Sequence, residues 1–257
     1  MVKNFIIKLI SIIIPVKILN ILEVILDNSL GKGFSLSLSN EIQSVRKFLK
    51  SKDVKIILDI GANYGNYTIE LLKHFPKSTY YLFEPGKLPY EHLQKKFMSY
   101  PNIKLFNNAI SDKNSTQVLY YDKKGSGLSS LHKRKLDHFN IQFDEHEEVK
   151  LISLNTLFEN EFSDKSFKID FCKIDIEGHE LTVLNSIKNN FDRFKLIQFE
   201  FGGCNIDSRT YFQDFWYLLK DNFDIYRISP KGPILIKKYS ERDEAFVMTN
   251  YLAINKN

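Results

Sequence analysis

Between residues 54 and 201, short unbroken apolar runs alternate with stretches in which apolar side chains recur every three or four positions. The first pattern predicts strands buried on both faces, the second amphipathic helices. VKIILDI (54–60), STYYLFE (78–84), NIKLFNNAI (102–110), FKIDFCKIDI (167–176) and FKLIQFEF (194–201) are read as five strands. YGNYTIELLKHF (64–75), KLPYEHLQKKFMSY (87–100), HELTVLNSI (179–187) and SRTYFQDFWYLLKDN (208–222) are read as helices; in the first, Ile69, Leu72 and Phe75 share a face. The alternation breaks at about 111–150, where STQVLYYD and EEVKLISL flank a GSGLSSL loop, so an insertion carrying an antiparallel pair is expected. FDIYRIS and AFVMTNYLAI then follow one another without a helix and predict an antiparallel C-terminal hairpin. The whole predicts an α/β fold with a mostly parallel, doubly wound sheet.

The first fifty residues differ. Residues 5–26 are rich in Ile and Leu but are interrupted by Lys8, Lys17 and Glu23 and broken at Pro15. A spanning helix needs about 20 mostly apolar residues, and no small-residue cleavage site follows the run. Two readings stay open: short helices packed on the domain or on a second subunit, and helices lying at a membrane interface. The chain divides into an N-terminal apolar, helical segment (1–50) and a domain (51–257). Its 36 Lys and Arg against 31 Asp and Glu leave a scattered net charge of +5, which is no nucleic-acid footprint. The basic cluster at 132–135 is followed by the acidic 144–148 and is read as solvated surface. Cys172 and Cys204 form no C-x-x-C pattern, and a cytoplasmic protein is expected, peripheral to the membrane on the second of those two readings.

In a doubly wound sheet, ligands bind beyond the carboxyl ends of the strands. Asp59 and GANYG end the first strand, Glu84 the second, Asn108 the third, Asp175, Glu177 and His179 the fourth, and Glu200 the fifth. Gly61 and Gly65 allow a tight turn, and the helix after them offers free amides. Glu84 lies 23 residues beyond Gly61, where a carboxylate can accept from both hydroxyls of a ribose. The dinucleotide fingerprint G-x-G-x-x-G is missing from G-A-N-Y-G, which disfavours NAD. A D-x-G-x-x-x-G turn with an acidic second strand end looks like an S-adenosylmethionine site. Asp59, Gly61, Asn63, Gly65, Glu84, Asn108 and Ala109 are its expected binding residues.

LDIGANYGNYT (58–68), FEP (83–85), NNAISD (107–112), KIDIEGHE (173–180) and IQFEF (197–201), in this order, resemble the FkbM family of S-adenosylmethionine-dependent methyltransferases. The resemblance covers roughly 55–255 and implies a Rossmann-like class I methyltransferase fold. It also implies methyl transfer to a hydroxyl of a sugar or glycan. A lipid or secondary-metabolite hydroxyl is the alternative acceptor, and a non-catalytic nucleotide-binding module the alternative role. Members often carry a Leu-Asp pair before the fourth strand; here SLNTLF places Asn155, which cannot act as a base. The DIEGH end lacks the Asn/Asp-Pro-Pro-aromatic turn of amino-directed nucleic-acid methyltransferases, so a small-molecule or glycan acceptor is expected rather than nucleic acid.

An alcohol needs a base to become a nucleophile. His179 is the first candidate by its ordinary pKa near ~6.5, with Asp175 and Glu177 as the others. Glu180 is read as complementing a helix N-terminus. Asp175, Glu177, His179 and Glu200 could also ligate Mg²⁺ or Ca²⁺, but the adopted reading has no metal. The insertion and the GGCN loop (202–205) are expected to shape the acceptor pocket.

Overall fold

The structure is a computed structural model that describes residues 2–33, 37–49, 54–162 and 166–257. In chain order its elements begin with α1 (Val2–Ile13), α2 (Val16–Ser29), α3 (Leu38–Phe48), β1 (Ile56–Ile60), α4 (Asn66–Leu72), β2 (Thr79–Phe83), α5 (Lys87–Phe97) and β3 (Ile103–Phe106). The insertion contributes β4 (Ala109–Ser111), β5 (Ser115–Tyr121) and β6 (Glu145–Ser153). There follow α6 (Leu154–Glu161), β7 (Phe171–Ile174), α7 (Glu180–Ser186), β8 (Leu196–Phe201), α8 (Cys204–Ser208), α9 (Phe212–Leu219), β9 (Phe223–Arg227), β10 (Ile234–Leu235) and β11 (Thr249–Asn255).

The main sheet runs β10-β9-β11-β8-β7-β1-β2-β3. β3, β2, β1, β7 and β8 are parallel, and β11 is antiparallel to both of its neighbours. Continuous apolar strands fit because both faces are covered. On one face Leu58, Ile60, Cys172, Ile174 and Phe199 pack with Val183 of α7 and Phe215 of α9. On the other, Ile57, Tyr80 and Phe171 pack with Leu71 of α4, Leu93 of α5, and Ile42 and Val45 of α3. α3 is thus part of the packed unit. Ser37 starts it by accepting a hydrogen bond from the Asn40 amide.

Four elements depart from the sequence expectation. The third strand stops at Phe106, because the Asn107 side chain donates to the carbonyls of Glu84 (2.9 Å) and Pro85 (3.0 Å) and turns the chain out of the ladder. Ala109–Ser111 then joins a separate three-stranded sheet, β4-β6-β5, parallel to β6. The helix expected at 208–222 is shorter, Phe212–Leu219, because Arg209, at φ 59°, ends the separate short helix α8 just before it. α6 was not expected; Ser153 caps it through the Thr156 amide. Finally, β9 and β11 pair antiparallel, but residues 228–248 lie between them, so no tight hairpin forms.

α1 and α2 stand apart from this core. Apart from the half-buried Leu19 their apolar side chains are exposed, and α2 has no buried residue.

Candidate active site

The chain leaves β1 for β2 on one side and reaches β7 on the other, so a crevice opens at the carboxyl ends of β1 and β7. Gly61, at φ +82°, makes this possible. A β-carbon there would lie 1.9 Å from the carbonyl oxygen of Asp175, so the turns after β1 and β7 approach more closely than any side chain permits. The crevice has two lobes, of about 660 and about 680 Å³ with their mouths included, which share Gly61, Asn63 and Asp175.

Glu84, Asn108 and Ala109 line the first lobe, with Leu119 and residues 126–127 and 129–131 of the insertion forming its cover. Glu84 is only 7% exposed. Its Oε1 accepts from the Gly86 amide and its Oε2 from the Asn63 amide, both at 2.8 Å. Burial pushes its pKa up to about 7, while the two amides work in the opposite direction. Asn63, at φ 46°, leaves its buried Oδ1 without a partner. A rigidly held carboxylate beside an unsatisfied amide oxygen suits a ligand carrying several donors, and a nucleoside with its diol is one. The residues present therefore fit S-adenosylmethionine.

The second lobe is more polar. Lys173, Asp175, Glu200, Tyr67, Glu41 of α3 and Asn250 of β11 line it. The Lys173 ammonium is 2.8 Å from Asp175 and 4.0 Å from the fully buried Asp59. Burial works to lower the Lys173 pKa, but Asp175 and Asp59 outweigh it and hold the amine charged. Gln198 orients the far wall: it accepts from the Tyr67 hydroxyl (2.5 Å) and donates to Glu41 (2.8 Å) and Asn250 (3.2 Å). Burial pushes Glu41 up to about 7. Among the described residues the Glu200 carboxyl has no hydrogen-bond partner, and burial, followed by the charges of Asp175 and Glu177, raises its pKa well above the carboxylate range.

The turn after β7 is braced from below. Glu180, fully buried, accepts the Ile176 amide (2.8 Å) and the Gly178 amide (2.9 Å), and burial pushes its pKa up to about 7. This carboxylate shapes the turn that carries Asp175 and Glu177, a more specific task than complementing a helix end.

Not every residue expected at the site reaches it. Asp59 lies behind the wall, accepting from the Thr68 hydroxyl at 2.5 Å, and lines neither lobe. Gly65 precedes α4 and faces Leu93 and Phe97 rather than the crevice. His179 also lines neither lobe. Its Nε2 meets the Ser111 hydroxyl (2.9 Å) and its Nδ1 lies 3.3 Å from His132 Nε2. Burial, then His132, pushes its pKa down to about 4. Glu177, at φ 55°, does line the first lobe, but Arg134 holds its carboxylate at 2.5 Å and Ser130 donates to its carbonyl. Burial, then Asp175, pushes Glu177 up to about 8. Glu177 and His179 together lace the insertion onto the β7–α7 turn. The 202–205 loop lines neither lobe.

Glu41, Lys173, Asn250 and Arg134 were missed from sequence. Only Lys173 carried a signal, as a lysine inside an otherwise apolar run. Among the described residues, one metal-type grouping exists, Glu177, Glu200 and Cys204, with ligand atoms within 4.8 Å. It excludes Asp175 and His179. Its buried thiol, which burial pushes far up, suits a hard cation poorly, and the Arg134 guanidinium already occupies the Glu177 carboxyl group.

The family described as "Methyltransferase FkbM domain" matches residues 59–225. No curated protein matches. Similar solved structures include a METTL16 MTase domain (11% identity over 88% of this chain and 71% of that one, TM-score 0.48). Others are a putative rRNA methylase from Clostridium thermocellum (10%, 87% and 98%, TM-score 0.47) and a putative methyltransferase from Streptococcus mutans in complex with SAH (10%, 86% and 99%, TM-score 0.46). The chain belongs to the FkbM family of methyltransferases, with S-adenosylmethionine as methyl donor.

Proposed function

We propose that the chain methylates a hydroxyl of a sugar or glycan. The observation that carries this reading is the set of acceptors in the second lobe. Glu41, Asp175, Glu200 and Asn250 line it, and among the described residues its one cation, Lys173, is already paired with Asp175 at 2.8 Å. Carboxyl groups and the Asn250 amide exchange hydrogen bonds with a polyol, whereas no free cation is left there among the described residues for the phosphates that dominate nucleic-acid affinity.

Glu84, Asn63, Asn108 and Ala109 would hold the nucleoside end of the donor in the first lobe. Gly61 and Asp175, common to both lobes, would flank its other end. When bound, the donor supplies a methyl carbon activated by a sulfonium. Asp175 is the group best placed to orient an acceptor hydroxyl and take its proton at a carboxylate oxygen. It belongs to both lobes, its side chain is 34% exposed, and Lys173 fixes its orientation. Glu200 and Glu41 accept from neighbouring hydroxyls. His179, uncharged at neutral pH, and Glu177 act as positioning residues for the cover of the first lobe.

The test is transfer of a labelled methyl from S-adenosylmethionine to nucleotide sugars, lipid-linked sugars and free oligosaccharides, with RNA in parallel. Transfer to a sugar acceptor is expected. Asp175→Asn should lower it at least ~100-fold while S-adenosylhomocysteine still binds. Methylation of RNA but of none of the sugars would overturn the reading.

A further inference from the structure

Sixteen of the 26 large apolar side chains exposed among the described residues fall within residues 2–30. They are ordered, not scattered. In α1, Ile6, Leu9, Ile10 and Ile13 recur at i, i+3, i+4 and i+7, Phe5 and Ile12 widen the arc to the edge where Lys8 stands, and Asn4 and Ser11 lie across from it. In α2, Ile18, Leu22, Ile25 and Leu26 make the apolar arc, and Asn20, Glu23 and Asp27 lie across from it. We propose that α1 and α2 form an interfacial pair of helices that seats this enzyme on an anionic lipid bilayer.

Length excludes spanning. Helices of 12 and 14 residues reach about 18 and 21 Å, against a hydrocarbon core of about 30 Å. Lying in the plane suits them, because a bilayer wets the whole width of an apolar arc. A second copy of the chain fits less well. Pro15 breaks the two helices apart, so no continuous seam exists, and a two-helix seam would leave part of α1's wide arc in water. Charge points the same way. α1 contains no acidic residue, and the exposed Lys8 and Lys17 flank the apolar arcs, as side chains reaching for lipid phosphates do. Glu23 and Asp27 sit on the side that would face water.

The attachment gives this a consequence. Arg227 Nε donates to the Leu30 carbonyl (2.7 Å), and the Gly33 amide donates to the Met248 carbonyl (3.0 Å). Met248 is two residues from Asn250, which lines the second lobe, and Thr249 pairs with Phe201 at the carboxyl end of β8. The helices are therefore rooted at the rim that bears the crevice. Seating them brings that rim to the lipid surface.

The experiment is sedimentation of the full chain with vesicles of phosphatidylcholine containing roughly a quarter phosphatidylglycerol, and with phosphatidylcholine alone. The chain should co-sediment, more on the anionic vesicles. Ile6→Glu/Ile10→Glu and Ile21→Glu/Ile25→Glu should each lower partition at least ~10-fold. Lys8→Glu/Lys17→Glu should remove the preference for anionic lipid. These positions are exposed, so thermal unfolding and S-adenosylhomocysteine binding should not change. A chain that binds S-adenosylhomocysteine yet stays in the supernatant overturns the proposal. So does light scattering that shows the Ile→Glu pairs splitting a dimer without altering vesicle binding.

Discussion

Glu84→Gln separates two jobs that one carboxylate does. The two backbone amides it accepts are each 2.8 Å away, one on each oxygen. Glutamine keeps one oxygen and turns an NH₂ toward the other amide. One buried N–H then loses its acceptor, which costs about 1–3 kcal/mol. For a chain of this size that is a melting temperature lower by roughly 5 °C. Binding should change separately. A nucleoside diol loses one charge-assisted hydrogen bond, about 1.5–3 kcal/mol, so the dissociation constant of S-adenosylhomocysteine should rise about 10- to 150-fold. Calorimetric titration measures this directly. A 2′,3′-dideoxy analogue completes the cycle: the wild type should bind it as weakly as the variant binds S-adenosylhomocysteine, and the variant should lose little more. If the variant melts lower but binds S-adenosylhomocysteine within twofold of wild type, Glu84 only braces the loop and the assignment of the first lobe to a nucleoside fails.

Gly61→Ala should abolish soluble expression or lower the melting temperature by more than ~10 °C, because the new methyl overlaps the Asp175 carbonyl at a backbone angle that L-residues resist; an unchanged melt would show that the turns can part. Lys173→Met removes the cation beside buried Asp59 and should cost about 3–5 kcal/mol, or about 10 °C, by scanning calorimetry. Stability should also fall as pH rises from about 6.5 to 8. Folded Glu41, Glu84 and Glu180 have pKa values raised to about 7 and Glu177 to about 8, from 4.5 when unfolded, so the folded state keeps protons that the unfolded state has released. Their contribution is complete below about 4.5 and is lost through the folded values. Buried His179, lowered to about 4, acts oppositely but only below its unfolded 6.5, which leaves the upper window to the acids. Glu180→Gln should flatten that slope in melts at pH 6.5, 7.25 and 8; a slope identical to wild type would mean Glu180 is ionised throughout.

Local pattern decided most of the architecture. Unbroken apolar runs between amphipathic helices can be buried on two faces only in a parallel sheet, so the strands, their order of appearance and the polar rim at their carboxyl ends follow from residues close together in the chain. Glu84, Gly61 and Asp175 were legible for that reason: each follows directly on a strand. What pattern could not supply was partnership at a distance. Glu41 reaches the crevice because Gln198, 157 residues away, holds its carboxylate, and Asn250 comes to the same wall on an antiparallel strand slotted between β8 and β9. His179 looked like a base by chemistry and position, yet its ring turns to Ser111 and His132 because the insertion folds over that side. Periodicity sets which face of an element a side chain takes. Which groups meet it there, and so whether it is charged, paired or available, is settled only when separate elements pack.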